Sequence, residues 1–185
     1  SNKGRCETLC PRNLNLKIGV IAVDPSSPFT GGAVLGDRVR MQEHSLDSSV
    51  FIRSVGSRGD LGGLSSCTSS IIKLFDIFGM DIVIIETVGV GQTELDIIKI
   101  SDSVLVTLVP EAGDGIQAMK AGLMEIGDIF IVNKADRSGA DKLAREIEYM
   151  ISLKHDSSSR KTNVLTTQAE NDVGINELLD EIMAF

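Results

Sequence analysis

The sequence has no apolar run that reaches the roughly 18 residues needed to cross a bilayer, and it does not open on a signal-peptide pattern. It has no surplus of positive charge either. Lys and Arg total 18 against 26 Asp and Glu, a net charge of −8 over 185 residues. An acidic chain repels phosphate backbones and anionic lipid, so neither nucleic acid nor a membrane is expected as a partner. Cysteine is scarce: Cys6, Cys10 and Cys67. An odd count at irregular spacing argues against a disulfide framework and fits a reducing compartment. No second Cys or His pair completes a metal site with Cys6 and Cys10, and His44 and His155 stand alone. If such a chain binds a phosphorylated small molecule, it must do so locally, with backbone amides or a metal ion.

What is present is a series of short, β-branched, nearly continuous apolar runs. They are KIGVIAVD (Lys17–Asp24), SVFIRSV (Ser49–Val55), DIVIIE (Asp81–Glu86), SVLVTLV (Ser103–Val109), IFIVNK (Ile129–Lys134) and NVLTT (Asn163–Thr167). Continuous rather than alternating runs predict strands buried on both faces of a parallel sheet. Between them lie segments with helical period: Leu64–Phe78, Ile116–Ile126, Asp141–Leu153 and Ile175–Phe185. Alternation of strand and helix predicts an α/β fold, a three-layer and mostly parallel sheet with helices on both faces. In such sheets ligands sit beyond the carboxyl ends of the strands. The residues that follow the runs are therefore the candidates, and all six following stretches are polar, Gly-rich or both.

NKAD (Asn133–Asp136) leaves the fifth run. Guanine offers N1–H and an exocyclic NH₂ side by side, and the Asp136 carboxylate can accept both as a bidentate pair. Adenine presents the opposite pattern. Lys134 can lay its methylene stem on the base plane. Asn133 can tie loops together and reach the purine edge. Alone, N-K-x-D is a weak signal; following a strand and preceding a helix, it predicts guanine recognition. In ETVGVGQTE, Glu86 ends a strand where an acidic residue can serve Mg²⁺, directly or through water. Gly89 lets a backbone N–H approach a γ-phosphate with no Cβ in the way. In VDPSSPFTGGAVLGDRVRM, Asp24 ends the first run and Asp37 follows a Gly-rich loop. Two carboxylates beside a bare triphosphate would repel it, so a bound nucleotide implies a divalent cation. Arg38 and Arg40 are read first as salt-bridge partners of neighbouring acids.

Together, AVDPSSPFTGGAVLGDRVRM, RSVGSRGDLGGLS, IIETVGVGQTE, PEAGDGIQAMKAGLMEI and NKAD resemble the MeaB/ArgK/MMAA group of P-loop GTPases, from about Lys17 to Ala169. The resemblance implies a GTP-hydrolysing chaperone-type switch that assists an adenosylcobalamin-dependent mutase such as methylmalonyl-CoA mutase. It implies GTP/GDP and Mg²⁺ as cofactors and a homodimer for the intact protein, in the cytoplasm or, in a eukaryote, the mitochondrial matrix. Carried onto these positions, Asp24, Asp37 and Glu86 surround Mg²⁺ and the switch loops, with Glu86, Gly89 and Asp37 as the catalytic set. Asn133, Lys134 and Asp136 read the base, and Thr167, Gln168 and Ala169 support it from behind. Gln92, Asp114 and Gln117 fall in loops that couple nucleotide state to the partner enzyme.

One departure stands out. The family's G-x-x-x-x-G-K-[ST] loop, which cradles the α- and β-phosphates, has no match in the chain. The expectation is a single GTPase-type domain over 1–185, truncated at the N-terminus before or within the first helix and at the C-terminus before a dimerisation extension. Two alternatives stand beside the switch. One is a nucleotide-free interaction module. The other is a nickel- or cobalt-inserting GTPase, against which the scattered cysteines and histidines count.

Overall fold

The computed structural model describes residues 16–24, 41, 44, 46–56, 66–87, 94–110, 122–153 and 162–185. The chain divides into two compact units, Ser1–Ile100 and Ser101–Phe185.

In the first unit three strands form a parallel sheet in the order β2-β1-β3: β1 (Ile18–Asp24), β2 (Val50–Gly56) and β3 (Ile82–Thr87). Helix α1 (Ser66–Ile77) covers one face. Its Phe75 packs with Ile21, Val23 and Val55, and Ile71, Ile72, Val83 and Ile85 close in around them. The Phe75 ring also explains Gly19 in the middle of β1, since a Cβ there would overlap the ring carbons. Phe51 on β2 meets the same ring edge-on, with centroids 5.6 Å apart and planes at 86°, a favoured aromatic geometry. A 3₁₀ helix, Glu94–Lys99, closes the described part of this unit.

In the second unit the sheet order is β4-β5-β6, again all parallel: β4 (Leu105–Leu108), β5 (Ile129–Val132) and β6 (Asn163–Thr166). Helix α2 (Ala140–Leu153) buries Ala140, Leu143 and Ile147, the stripe its period predicts, and lies against β5 and β6. Helix α3 (Ile175–Met183) follows β6. It is tied to that strand by Asn163 Nδ2, which donates to Glu181 Oε1 at 2.7 Å.

The α/β class and the parallel pairing are as the sequence predicts, and each strand lies within two residues of its apolar run. Burial differs from expectation. Among the described residues, the central strands β1 and β5 are the ones covered on both faces, and β5 is buried at every position. In β3 and β4 burial alternates, and Ile84 stays about half exposed at 45%; in β2, Phe51 is half exposed at 51% although it meets Phe75. A central strand is flanked on both edges and packed above and below. An outer strand lacks a neighbour on one edge, so its side chains keep contact with solvent even on a face that carries a helix, as Phe51 does beside Phe75. The predicted helix over Ile116–Ile126 is seen as a helical turn at Met124–Ile126; residues 116–121 lie outside the described residues. Among the described residues no helix is long and apolar enough to cross a membrane.

Both sheets begin their neighbouring strands with the same device. Asp81, just before β3, accepts from Lys17 N through Oδ2 at 2.7 Å and donates its own N–H back to Lys17 O at 2.8 Å. Asp128, just before β5, accepts from Val104 N at 2.8 Å and donates back to Val104 O at 2.9 Å. Each clasp satisfies a backbone donor that would otherwise be left at the sheet's amino edge.

Candidate functional site

The best-defined group of candidate residues lies at the carboxyl end of the second sheet, where β5 and β6 deliver two loops side by side. The ladder continues past both strands. Asn133 N donates to Leu108 O at 2.8 Å, and Thr167 N donates to Val132 O at 2.9 Å. The chain then turns sharply. Lys134 adopts φ of 57°, a left-handed conformation uncommon for a residue with a side chain. Arg137 N donates to Lys134 O at 3.0 Å to close the turn. Gly139, with φ of 93°, passes the chain into α2, where Leu143 N returns to Gly139 O at 2.9 Å.

Asn133 joins the two loops. Its Oδ1 accepts from the Thr167 hydroxyl at 3.2 Å and from Ala169 N at 3.1 Å. A backbone N–H can only donate, so the atom facing Ala169 must be the amide oxygen. Nδ2, the donor end of the amide, takes no part in these two ties. Thr167 is 2% exposed, and its carbonyl accepts from Ala135 N at 3.0 Å, a second tie between the loops. The loop after β6 is closed on itself. Gln168 N donates to Val173 O at 2.9 Å, Val173 N returns to Gln168 O at 3.3 Å, and Asn171 Nδ2 donates to Gln168 Oε1 at 3.2 Å. Asp136 is exposed one residue beyond Ala135. The six residues expected to hold a base, Asn133, Lys134, Asp136, Thr167, Gln168 and Ala169, are thus carried by one pair of linked loops.

The first unit carries the acidic candidates. Asp24 closes β1, in register with Gly56 of β2. Glu86 lies on β3 opposite Ala22, two rows before the end of β1, and is exposed. Two acidic positions on adjacent strands near one sheet end suit a hydrated divalent cation, which keeps much of its water shell and needs only one or two carboxylates. Asp37 and Gly89 lie outside the described residues, as do Arg38, Arg40, Gln92, Asp114 and Gln117.

Sequence reasoning missed the residue on which the β6 loop is folded. Gly174 precedes α3 with φ of 76°. A Gly directly before a helix, in DVGIN, was the available signal. The paired Asp clasps were also visible as an Asp opening DIVIIE and another opening DIFIVN.

The profile of the family described as "Methylmalonyl Co-A mutase-associated GTPase MeaB" matches residues 8–185. A Pyrococcus abyssi protein named as a GTPase is 51% identical over 92% of this chain and 54% of its own length. GTPase ArgK of Escherichia coli is 38% identical over 92% of this chain and 53% of its own. The chain therefore spans about half the length of these relatives. Among solved structures, that of LAO/AO transport system kinase matches with TM-score 0.67 and 29% identity, over 91% of this chain and 49% of that one. HypB from Helicobacter pylori in complex with nickel matches over 96% of this chain and 78% of that one with TM-score 0.59. At 14% identity this second likeness concerns the fold alone.

Proposed function

Because the chain belongs to the methylmalonyl Co-A mutase-associated GTPase MeaB family, we propose that its 185 residues form the guanine-nucleotide-reading part of a GTP-hydrolysing switch, as one GTPase-type domain. The observation that carries this reading is the amide of Asn133, held by Thr167 and Ala169 with its oxygen turned inward. A side chain fixed in this way presents Nδ2 to a purine edge without first losing rotamer freedom, which is preorganisation. Asp136 accepts the N1–H and NH₂ pair of guanine, and the Lys134 stem covers the base plane. Each charge-assisted hydrogen bond is worth about 1.5–3 kcal/mol, so the pair separates guanine from adenine by several powers of ten.

Asp24, Asp37 and Glu86 are proposed to hold Mg²⁺, directly or through water. The ion would neutralise triphosphate charge in a chain whose own balance is −8. Glu86 and Asp37 would orient the attacking water and Gly89 would meet the γ-phosphate through its N–H. Differential affinity of the two nucleotide states for a partner is what makes such hydrolysis useful. The proposed partner is an adenosylcobalamin-dependent mutase of the methylmalonyl-CoA mutase class, and the proposed intact assembly is a homodimer. Since the chain contains no G-x-x-x-x-G-K-[ST] match, these residues alone are expected to bind GTP weakly and to hydrolyse it poorly.

The test is a comparison of GTP and ATP turnover by the full-length protein, with and without Mg²⁺, for wild type and Glu86→Gln. Mg²⁺-dependent hydrolysis of GTP alone, lost in the variant, is the expected result. Turnover of both nucleotides at equal rates would refute the reading, and no turnover of either would favour the non-enzymatic interaction module.

A further inference from the structure

Gly174 lies where α3 meets the end of β6. Its φ of 76° and ψ of 3° place it in the left-handed region, which disfavours side chains other than glycine's. The space around it is also closed. A Cβ there would overlap the Thr166 carbonyl oxygen and lie 3.3 Å from both Cα and Cγ2 of Thr167. Helix α3 thus begins with a bare Cα seated on the Thr166–Thr167 peptide. The same stretch serves the recognition loop: Thr167 O accepts from Ala135 N, and its hydroxyl donates to Asn133 Oδ1. Gly79 supplies the contrast. Its φ is 70°, yet nothing lies within 4 Å of its Cβ position. The two glycines share a backbone conformation and differ in what the missing side chain makes room for.

Building on the guanine reading above, we propose that Gly174 is a positioning residue for base recognition. Its missing side chain lets α3 hold Thr167 in place, and Thr167 in turn sets the amide of Asn133. Displacing Thr167 by the few tenths of an ångström that a Cβ demands would stretch a 3.2 Å hydroxyl bond towards the limit of such contacts. The Asn133 amide would then be free to turn.

The test titrates the full chain with GDP and with ADP, into the millimolar range, while following the Asn133 side-chain amide by NMR. Gly174→Ala and Gly174→Asn are compared with Gly79→Ala. Asn tolerates left-handed φ far better than Ala, so Gly174→Asn relieves the backbone penalty while keeping the clash. Both Gly174 variants are expected to lose about tenfold of the GDP-over-ADP preference and to shift the Asn133 amide signals. Gly79→Ala is expected to change neither. Thr167→Val, which deletes the hydroxyl at nearly constant shape, is expected to reproduce the loss, and Thr167→Ser to restore the preference. That pair decides the matter if the Gly174 variants do not fold. Full preference in Gly174→Asn, or in Thr167→Val, overturns the proposal and leaves the guanine reading standing. A wild-type chain with no preference for GDP overturns that reading and the proposal with it.

Discussion

The two units are built alike where their strands begin and differently where they end. Each has a three-stranded parallel sheet, and each opens one strand pair with an Asp that clasps the backbone of its neighbour, Asp81 to Lys17 and Asp128 to Val104. At the carboxyl ends the likeness stops. The first unit brings acidic positions there, Asp24 and Glu86. The second brings an amide, Asn133, tied by two hydrogen bonds to the next loop. The amino edges meet a common structural need, which is to satisfy backbone groups. The carboxyl edges carry different chemistry: acidic positions in the first unit, a fixed amide in the second.

The largest effect should come from inverting the chemistry of one end alone. Asp136→Asn in the full-length protein replaces an acceptor with a donor where the base is read. Preference is expected to move from guanine towards xanthine by about two to four powers of ten, two charge-assisted bonds at stake. Competition binding with GTP and XTP checks it, and unchanged GTP selectivity would refute the role given to Asp136.

Next in size is the core that supports that edge. Phe130 is fully buried at the centre of β5, and its ring closes over Gly127. Phe130→Ala is expected to cost about 3–5 kcal/mol, read as a lower denaturation midpoint. A loss under about 1 kcal/mol would show that the second sheet is not packed as described.

The clasps sharpen the comparison at the amino edges. Asp128→Ala leaves the partly buried Val104 N–H without its acceptor and is expected to cost about 1–3 kcal/mol. Asp81→Ala acts on an exposed pair, where water replaces the carboxylate, and should cost about 0.5–1.5 kcal/mol. Urea unfolding of the two variants side by side measures this. Equal losses would mean that burial does not distinguish the clasps.

Much of this was legible in the sequence. The six strands seen among the described residues could be placed because parallel strands concentrate β-branched residues into runs bounded by polar ones. Asn133 could be named as a loop tie because its side chain follows a strand end and carries both donor and acceptor. Strand burial was less legible. Phe51 and Ile84 are as apolar as Ile21, and what separates them is position in the sheet: Ile21 lies on the central strand and the other two on outer strands. Gly174 was legible only as a Gly before a helix; the space it leaves depends on the Thr166 carbonyl beside it, which is not written in neighbouring residues. The roles proposed for Asp37 and Gly89 come from sequence motif, and both residues lie outside the described residues.

The linked loops 133–136 and 167–169 are proposed to read a guanine base. Mapping backbone and side-chain amide shifts of the chain during titration with GDP, then with ADP, tests this most directly. Shifts concentrated at Asn133, Lys134, Asp136 and Ala169 with GDP, and absent with ADP, are the expected result. Equal responses to both nucleotides, or GDP shifts that leave these residues untouched, would contradict it.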